Sequence, residues 1–290
     1  MDSRPLVSVL MPVLKPDPVF FAQAVRGLLA QTCGAWELVI VEDPSGQSAA
    51  EMLREVSDPR IRYHANPRRT SLIEQRNRTL ALARAETVAM ADADDVSMPD
   101  RLEKQLRYLN QHPQVGVLGS QLEIIDGQGR ILGYRSYPLG HEAILRALPR
   151  YNAIAQPAVM ARKQVILDAG AYLYGDYPAE DYELWSRLIQ RGARFANHPE
   201  VLVRYRLHPA GHKGEKLHAI LRGTLEVKQR YWRGEMDLPA RLRMHLERVL
   251  LWLPAPLVLR LFTWTHYYSG AKVSRGTRPT PDDKPLSRGA

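Results

Sequence analysis

Leu6–Val13 is an almost unbroken apolar run. So short a run without polar alternation predicts a strand buried on both faces. From Phe20 to Thr32 apolar residues return at helical spacing, at Phe20, Ala24, Val25, Leu28 and Leu29. Trp36–Val41 is a second buried strand, ended abruptly by Glu42-Asp43-Pro44-Ser45-Gly46. The pattern then repeats, with a helix over Ala49–Val56, a strand at Ile61–His64, a helix over Leu72–Arg84 and a strand at Thr87–Met90. This alternation of strand and helix predicts an α/β protein with a mostly parallel, Rossmann-like sheet.

After the helix-like Pro99–Gln111 the rhythm loosens. Strands are expected at Val115–Leu118, Gln121–Ile125 and Arg130–Tyr137, the last two joined by a hairpin at Asp126-Gly127. A short helix over His141–Leu148, a strand at Ala158–Ala161, a helix over Ala179–Arg191 and a strand at Val201–Arg206 follow. Helical stretches at Glu215–Arg233 and Pro239–Leu253 come next. The segment from Ser274 is rich in proline, glycine, serine and charge, the composition of a disordered tail. The expected division is 1–212, a helical extension 213–273, and a tail 274–290. No internal repeat is visible.

Composition narrows the chemistry. With 290 residues, 45% of them apolar, the chain can bury a proper core. The single cysteine, Cys33, excludes internal disulfides and cysteine-rich zinc sites. Met1-Asp2-Ser3-Arg4 leads straight into the first strand without a signal-peptide pattern, and no apolar run is long enough to span a bilayer, so a cytoplasmic location is expected. The net charge is +9, and residues 241–290 hold nine Arg/Lys against three acids. Such an excess suits nucleic acid, anionic lipid or phosphorylated small molecules.

Asp92-Ala93-Asp94-Asp95 carries the most chemical information. Three carboxylates within four residues repel one another, and a divalent cation such as Mg²⁺ or Mn²⁺ relieves that, taking carboxylates together with substrate phosphates. The cluster follows a buried strand, where open α/β sheets bind ligands. It could equally be a solvated turn capping the next helix, with Ser97 and Asp100 at its start. Glu42-Asp43 closes another strand and could present acceptors to a base or ribose, or form an ordinary polar turn. Arg68, Arg69, Arg76 and Arg78 are suited to phosphate, or equally to a solvated helix face, and Asn77 lies beside the helix's apolar face, where a structural role is open to it. Glu180 and Asp181 open a helix, where acids are favoured by the macrodipole; one of them could instead be a general base. His208, after Tyr205-Arg206-Leu207, could bind metal or phosphate. A nucleic-acid module would need a basic, aromatic stripe on the sheet, whereas the presumed ligand edge carries Glu42, Asp43, Asp92, Asp94 and Asp95. A nucleic-acid partner is therefore not expected.

The ordered set Val7-Ser8-Val9-Leu10-Met11-Pro12-Val13, Val41-Glu42-Asp43-Pro44-Ser45, Arg76-Asn77, Asp92-Ala93-Asp94-Asp95, Glu180-Asp181-Tyr182-Glu183-Leu184-Trp185 and Tyr205-Arg206-Leu207-His208 resembles the family 2 glycosyltransferases of GT-A fold. The resemblance runs over residues 5–210. It implies inverting transfer of a sugar from a nucleotide diphosphate sugar, a UDP-sugar foremost, to a hydroxyl of a saccharide or lipid-linked saccharide. It also implies a Mn²⁺ or Mg²⁺ cofactor. By the same resemblance Pro12 and Val13 border the nucleotide, Asp43 faces the base with Glu42 beside it, and Arg76 approaches the base or diphosphate. Asp92 turns to the ribose and the metal site, Asp94 to the metal, and Asp95 to the metal or donor sugar; His208 joins the metal ligands. Asp181 is the base, with Glu180 alongside it. The second motif reads Glu-Asp-Pro-Ser where the family often has Asp-Asp-Gly-Ser, which leaves the nucleotide open. A sugar-nucleotide pyrophosphorylase would place a glycine-rich basic loop after the first strand, where Leu14-Lys15-Pro16-Asp17-Pro18 has no glycine. An inactive homologue serving as a binding partner would not be expected to retain both Asp94 and Asp181.

Val249–Trp264 is apolar but broken by Pro254, Pro256 and Arg260. With Trp252, Trp264, His266, Tyr267 and Tyr268 among basic residues, it has the composition of a segment lying on an anionic membrane surface, or of a homodimer contact.

Overall fold

A computed structural model describes residues 4–173, 179–207, 213–254 and 257–258. Four strands, β1 (Val7–Val13), β2 (Trp36–Glu42), β3 (Ile61–Ala65) and β4 (Thr87–Met90), run parallel in the order β3-β2-β1-β4. The continuous apolar runs are explained by burial on both faces. Leu10, Val39 and Val88 enter one core cluster, while their neighbours Val9, Met11, Leu38 and Ala89 enter another. Between the strands lie α1 (Pro18–Leu29), α2 (Ala49–Met52) and α3 (Leu72–Leu82). Asp17 caps α1 by accepting from the amides of Val19 and Phe20. Ser71 and Glu74 form a reciprocal capping box on α3.

The second half turns the sheet mixed. After α4 (Arg101–Gln111), β6 (Val115–Ile125) is one fully buried strand where two were expected. Gly119, between the two expected strands, lets the chain pass close beneath the Asn197 amide, where a Cβ would collide. One edge of β6 pairs in parallel with β9 (Arg194–Arg206). The other pairs antiparallel with β8 (Met160–Arg162) and then β7 (Ile131–Arg135), the expected hairpin partner. β8 is also antiparallel to β4, joining the two halves. β9 begins seven residues before the expected Val201, because the Pro199-Glu200 interruption is absorbed as a bulge: Ser120 faces His198 and Gln121 faces Val201. The two-residue β5 (Val96–Ser97) pairs with β9. Helices α5 (His141–Ala147), α6 (Lys163–Asp168) and α7 (Glu180–Gln190) complete this half, α6 and β5 having had no sequence signal.

α8 (Lys213–Val227) and a π-type turn over Lys228–Trp232 pack against α7, and α9 (Leu238–Leu250) packs against α8. Trp232 is buried with its indole N–H donated to Ser186, and the same core cluster runs from Leu184 and Trp185 through Trp232 to Met244. Lys228, wholly buried, donates to Glu247 at 2.6 Å. Among the described residues no helix is long and apolar enough to cross a membrane. Trp264, the aromatic residues after it and the tail lie outside the described residues.

Candidate active site

The site gathers at the carboxyl ends of the parallel strands. β4 stops at Met90 and the chain enters the Asp92–Asp95 loop, whose outgoing limb is pinned by β5. Two buried arginines hold that loop from below. Arg206 donates its backbone N–H to Asp95 Oδ1 at 2.8 Å and its Nε to the Asp94 carbonyl at 2.9 Å, while its guanidinium also reaches Gln23 and lies over Phe20. Arg101 bonds Ser97, the Met90 carbonyl and Gln105, and burial draws its pKa down to about 10 despite Asp95 and Asp92 nearby. Asp95 is buried, and its second oxygen, Oδ2, has no hydrogen-bond partner among the described residues.

Arg76 joins this loop to the opposite wall. Its guanidinium lies 4.0 Å from Asp92 and 3.3 Å from Glu180 at the start of α7, and faces the Tyr172 ring at 5.6 Å. Burial alone would weaken the charge on Arg76. Tyr172, Asp92, Glu180 and Asp181 outweigh it and hold the pKa above the ordinary arginine value. Tyr172 is positioned from three sides. Its backbone exchanges two hydrogen bonds with the Asn77 amide, and its hydroxyl accepts from Gln156 at 2.7 Å. Arg187, paired with Glu183 on α7, donates to the carbonyls of Ala169 and Ala171, fixing the bend in which Ala171 takes the left-handed φ of 55°.

Asp181 stands in the first turn of α7, its Oδ2 accepting from Asn152 at 2.9 Å. Burial and the neighbouring Glu180 raise its pKa to about 6, against the pull of Arg76, its own helix N–H and Asn152. A carboxyl with this value is ionised at neutral pH yet basic enough to take a proton. Burial first, then Asp94, also raises Asp92; burial, Asp92 and Asp94 raise Asp95 further.

The turn after β2 is organised differently. Asp43 is buried and accepts from Asn66 and from the Thr70 amide and hydroxyl; those bonds outweigh burial and lower its pKa. Glu42 is buried too. It accepts from the Ala49 amide at 2.8 Å and the Tyr63 hydroxyl at 2.6 Å, so both its oxygens hold the start of α2 and β3 in place, which accounts for its burial without a ligand. Pro12 and Val13 pair with Val41 and Glu42 at the end of β1, and the Val13 carbonyl accepts the Asp43 amide. Arg78 is drawn away to Asn66 and the Ala65 carbonyl.

Asp92, Asp94, Asp95, Arg76, Glu180 and Asp181 therefore share one region, whereas Glu42 serves the scaffold. His208 and the alternative His212 lie outside the described residues. Among the described residues no three His, Cys, Asp or Glu side chains converge on one metal position. The donor chemistry nevertheless suits a hard divalent cation: carboxylates of which two are raised in pKa by burial first and then by mutual repulsion, and an unpartnered buried oxygen on Asp95. Sequence reading missed Asn152, Tyr172 and Gln156, each far along the chain from the group it supports, and Arg101, which lies close in sequence but reads as an ordinary charged residue in the first turn of a helix.

The family model described as glycosyl transferase family 2 matches residues 8–169, more than half the chain. The chain belongs to glycosyl transferase family 2. The matched span takes in β1, both acidic turns and Arg76, and the protein is a glycosyltransferase enzyme. An uncharacterized glycosyltransferase of Haemophilus influenzae is 32% identical over 219 residues, covering 72% of this chain and 67% of that protein. An O-antigen biosynthesis glycosyltransferase of Escherichia coli is 36% identical over 112 residues, 38% of this chain and 43% of its own. Among solved structures, a mannosyltransferase from Pyrobaculum calidifontis in complex with GDP-Man and Mn²⁺ superposes with a TM-score of 0.61 at 17% identity, over 94% of this chain and 77% of that one. TarS of S. aureus, residues 1–349 in complex with UDP, gives 0.58 at 16% identity over 92% and 75%. These likenesses establish the GT-A fold.

Proposed function

We propose that this glycosyltransferase moves a sugar, with inversion, from a nucleotide diphosphate sugar to a hydroxyl of a saccharide or lipid-linked saccharide. The observation that carries the reading is the pairing of a raised-pKa carboxyl, Asp181, with an acidic loop across the site, the two tied electrostatically by Arg76. Asn152 orients the Asp181 carboxylate. Asp181 removes the acceptor hydroxyl proton as that oxygen forms its bond to the anomeric carbon. The bond from that carbon to the diphosphate breaks on the opposite side, and its electron pair leaves with the diphosphate. Glu180 lies beside the acceptor, and Arg76 offsets the charge that grows on the departing group. Asp94 and Asp92, with His208, would hold Mn²⁺ or Mg²⁺, which when bound neutralises diphosphate oxygens. Pro12, Val13 and Asp43 line the nucleotide end, and Asp95 borders the metal or donor sugar.

Relatives named for O-antigen and amylovoran biosynthesis support a cell-surface polysaccharide acceptor, and a neighbour solved with UDP-GlcNAc supports a UDP-sugar donor. We place the reaction at the cytoplasmic face of a membrane, with residues 1–212 as the catalytic unit. The test is incubation with a panel of nucleotide sugars and saccharide acceptors, following nucleoside diphosphate release and the anomeric configuration of the product by NMR. Inverted product is expected. Retained configuration, or no release from folded protein, would contradict the reading.

A further inference from the structure

α9 is built inside out. Its acid, Glu247, faces inward, where Lys228 and Arg243 neutralise it, and Ala240 and Met244 fill the rest of the buried side. The outward face is apolar: Leu238 is 69% exposed, Leu242 60%, Leu246 61% and Val249 56%, and Trp252 just past the helix end is 89% exposed. Steps of four and three residues set them in one stripe. Arg241 and Arg248 lie along its flank and His245 within it, with no acid on the exposed side of the helix. A surface helix ordinarily turns its polar side to water; here the pattern is reversed, and contiguous apolar area of this kind marks a contact surface.

We propose that this outward face of α9 docks the enzyme on an anionic lipid bilayer, its leucines and Trp252 entering the interface and the arginines meeting the headgroups. Charge selects the occupant. The helix has buried its one carboxylate, so the stripe presents only apolar and basic groups, the combination an anionic interface attracts. The sequence reinforces that sign: residues 241–290 carry nine Arg/Lys against three acids. A second copy would offer an equally acid-free face and leave the arginines without partners. Docking is independent of the reaction assigned to the active site. The helix is nonetheless linked to the site, because Asp237, which caps α9, pairs with Arg150, two residues from the Asn152 that holds Asp181.

The experiment is cosedimentation of the full chain with vesicles of phosphatidylcholine alone and of phosphatidylcholine mixed with phosphatidylglycerol. The protein is expected to pellet with the mixed vesicles and to stay in solution with the neutral ones. Leu242→Glu with Leu246→Glu should lower the bound fraction about tenfold or more, with an unchanged unfolding midpoint because both positions face outward. Trp252→Ser, beyond the helix, should lower it as well. No binding to the anionic vesicles, or equal binding by the double variant, would overturn the proposal. So would a dimer in light scattering that the double variant splits while neither form binds vesicles.

Discussion

The Arg76 guanidinium lies 3.3 Å from Glu180, a residue 104 positions further along the chain. That ion pair ties α3 to the start of α7, and through the 4.0 Å approach to Asp92 it brings the acidic loop within the same electrostatic group. The ionisation of Asp181 therefore depends on a residue it does not bond.

The first consequence concerns pH. Asp181 must be ionised to accept a proton, and its pKa is raised to about 6. The value of kcat/KM should therefore rise with pH through about 6 and level off above it, measured at saturating metal. An acidic limb near pH 4 would remove Asp181 from the role of base.

Arg76 lowers the Asp181 pKa and opposes burial and Glu180. Arg76→Met should shift the acidic limb to higher pH, besides lowering the rate. A limb that stays in place would mean that the group controlling it is not Asp181.

Replacing Asp181 by Asn keeps the shape and the contact with Asn152 while removing the basic oxygen. Transfer should fall by about 10²–10⁴-fold, with donor affinity nearly unchanged. Calorimetry with the donor alongside a transfer assay separates the two effects.

A stability prediction attaches to the helical extension. Lys228 is fully enclosed and burial lowers its pKa, but it stays paired with Glu247 at 2.6 Å. Lys228→Ala should cost roughly 3 kcal/mol in urea unfolding, because it opens a cavity and leaves Glu247 to Arg243 alone. A loss below about 1 kcal/mol would show that the pair is not held as described.

Much of the fold could be read from hydrophobic periodicity. β1, β2 and β4 are largely apolar runs buried on both faces, β3 is a half-buried edge strand, and α3 and α4 carry clear helical spacing. The divergences have local causes. The two strands expected at Val115–Leu118 and Gln121–Ile125 are one, running through Gly119 beneath Asn197, and the strand expected from Val201 starts at Arg194 because a bulge opposite Ser120 and Gln121 absorbs Pro199. β5 and α6 are too short for any period to develop. In the site, the acidic loop stood out as three carboxylates within four residues, whereas Arg76 was set apart from its neighbouring arginines only by the family resemblance. Asn152, Tyr172 and Gln156 were not legible, since their role comes from tertiary contacts across 16 to 95 residues. Glu42 is a carboxylate at a strand end whose partners here, Tyr63 and the Ala49 amide, are supplied by the scaffold, contacts that its place in the sequence does not reveal.

The central claim is that the Asp92–Asp95 loop holds a metal-dependent donor site. The most direct measurement is calorimetric titration of the purified protein with a panel of nucleoside diphosphates, in Mn²⁺ and then in EDTA, beside the Asp94→Asn variant. The account predicts binding of one nucleoside diphosphate that requires the metal and is lost in the variant. No binding by folded protein, or binding indifferent to EDTA and to Asp94, would contradict it.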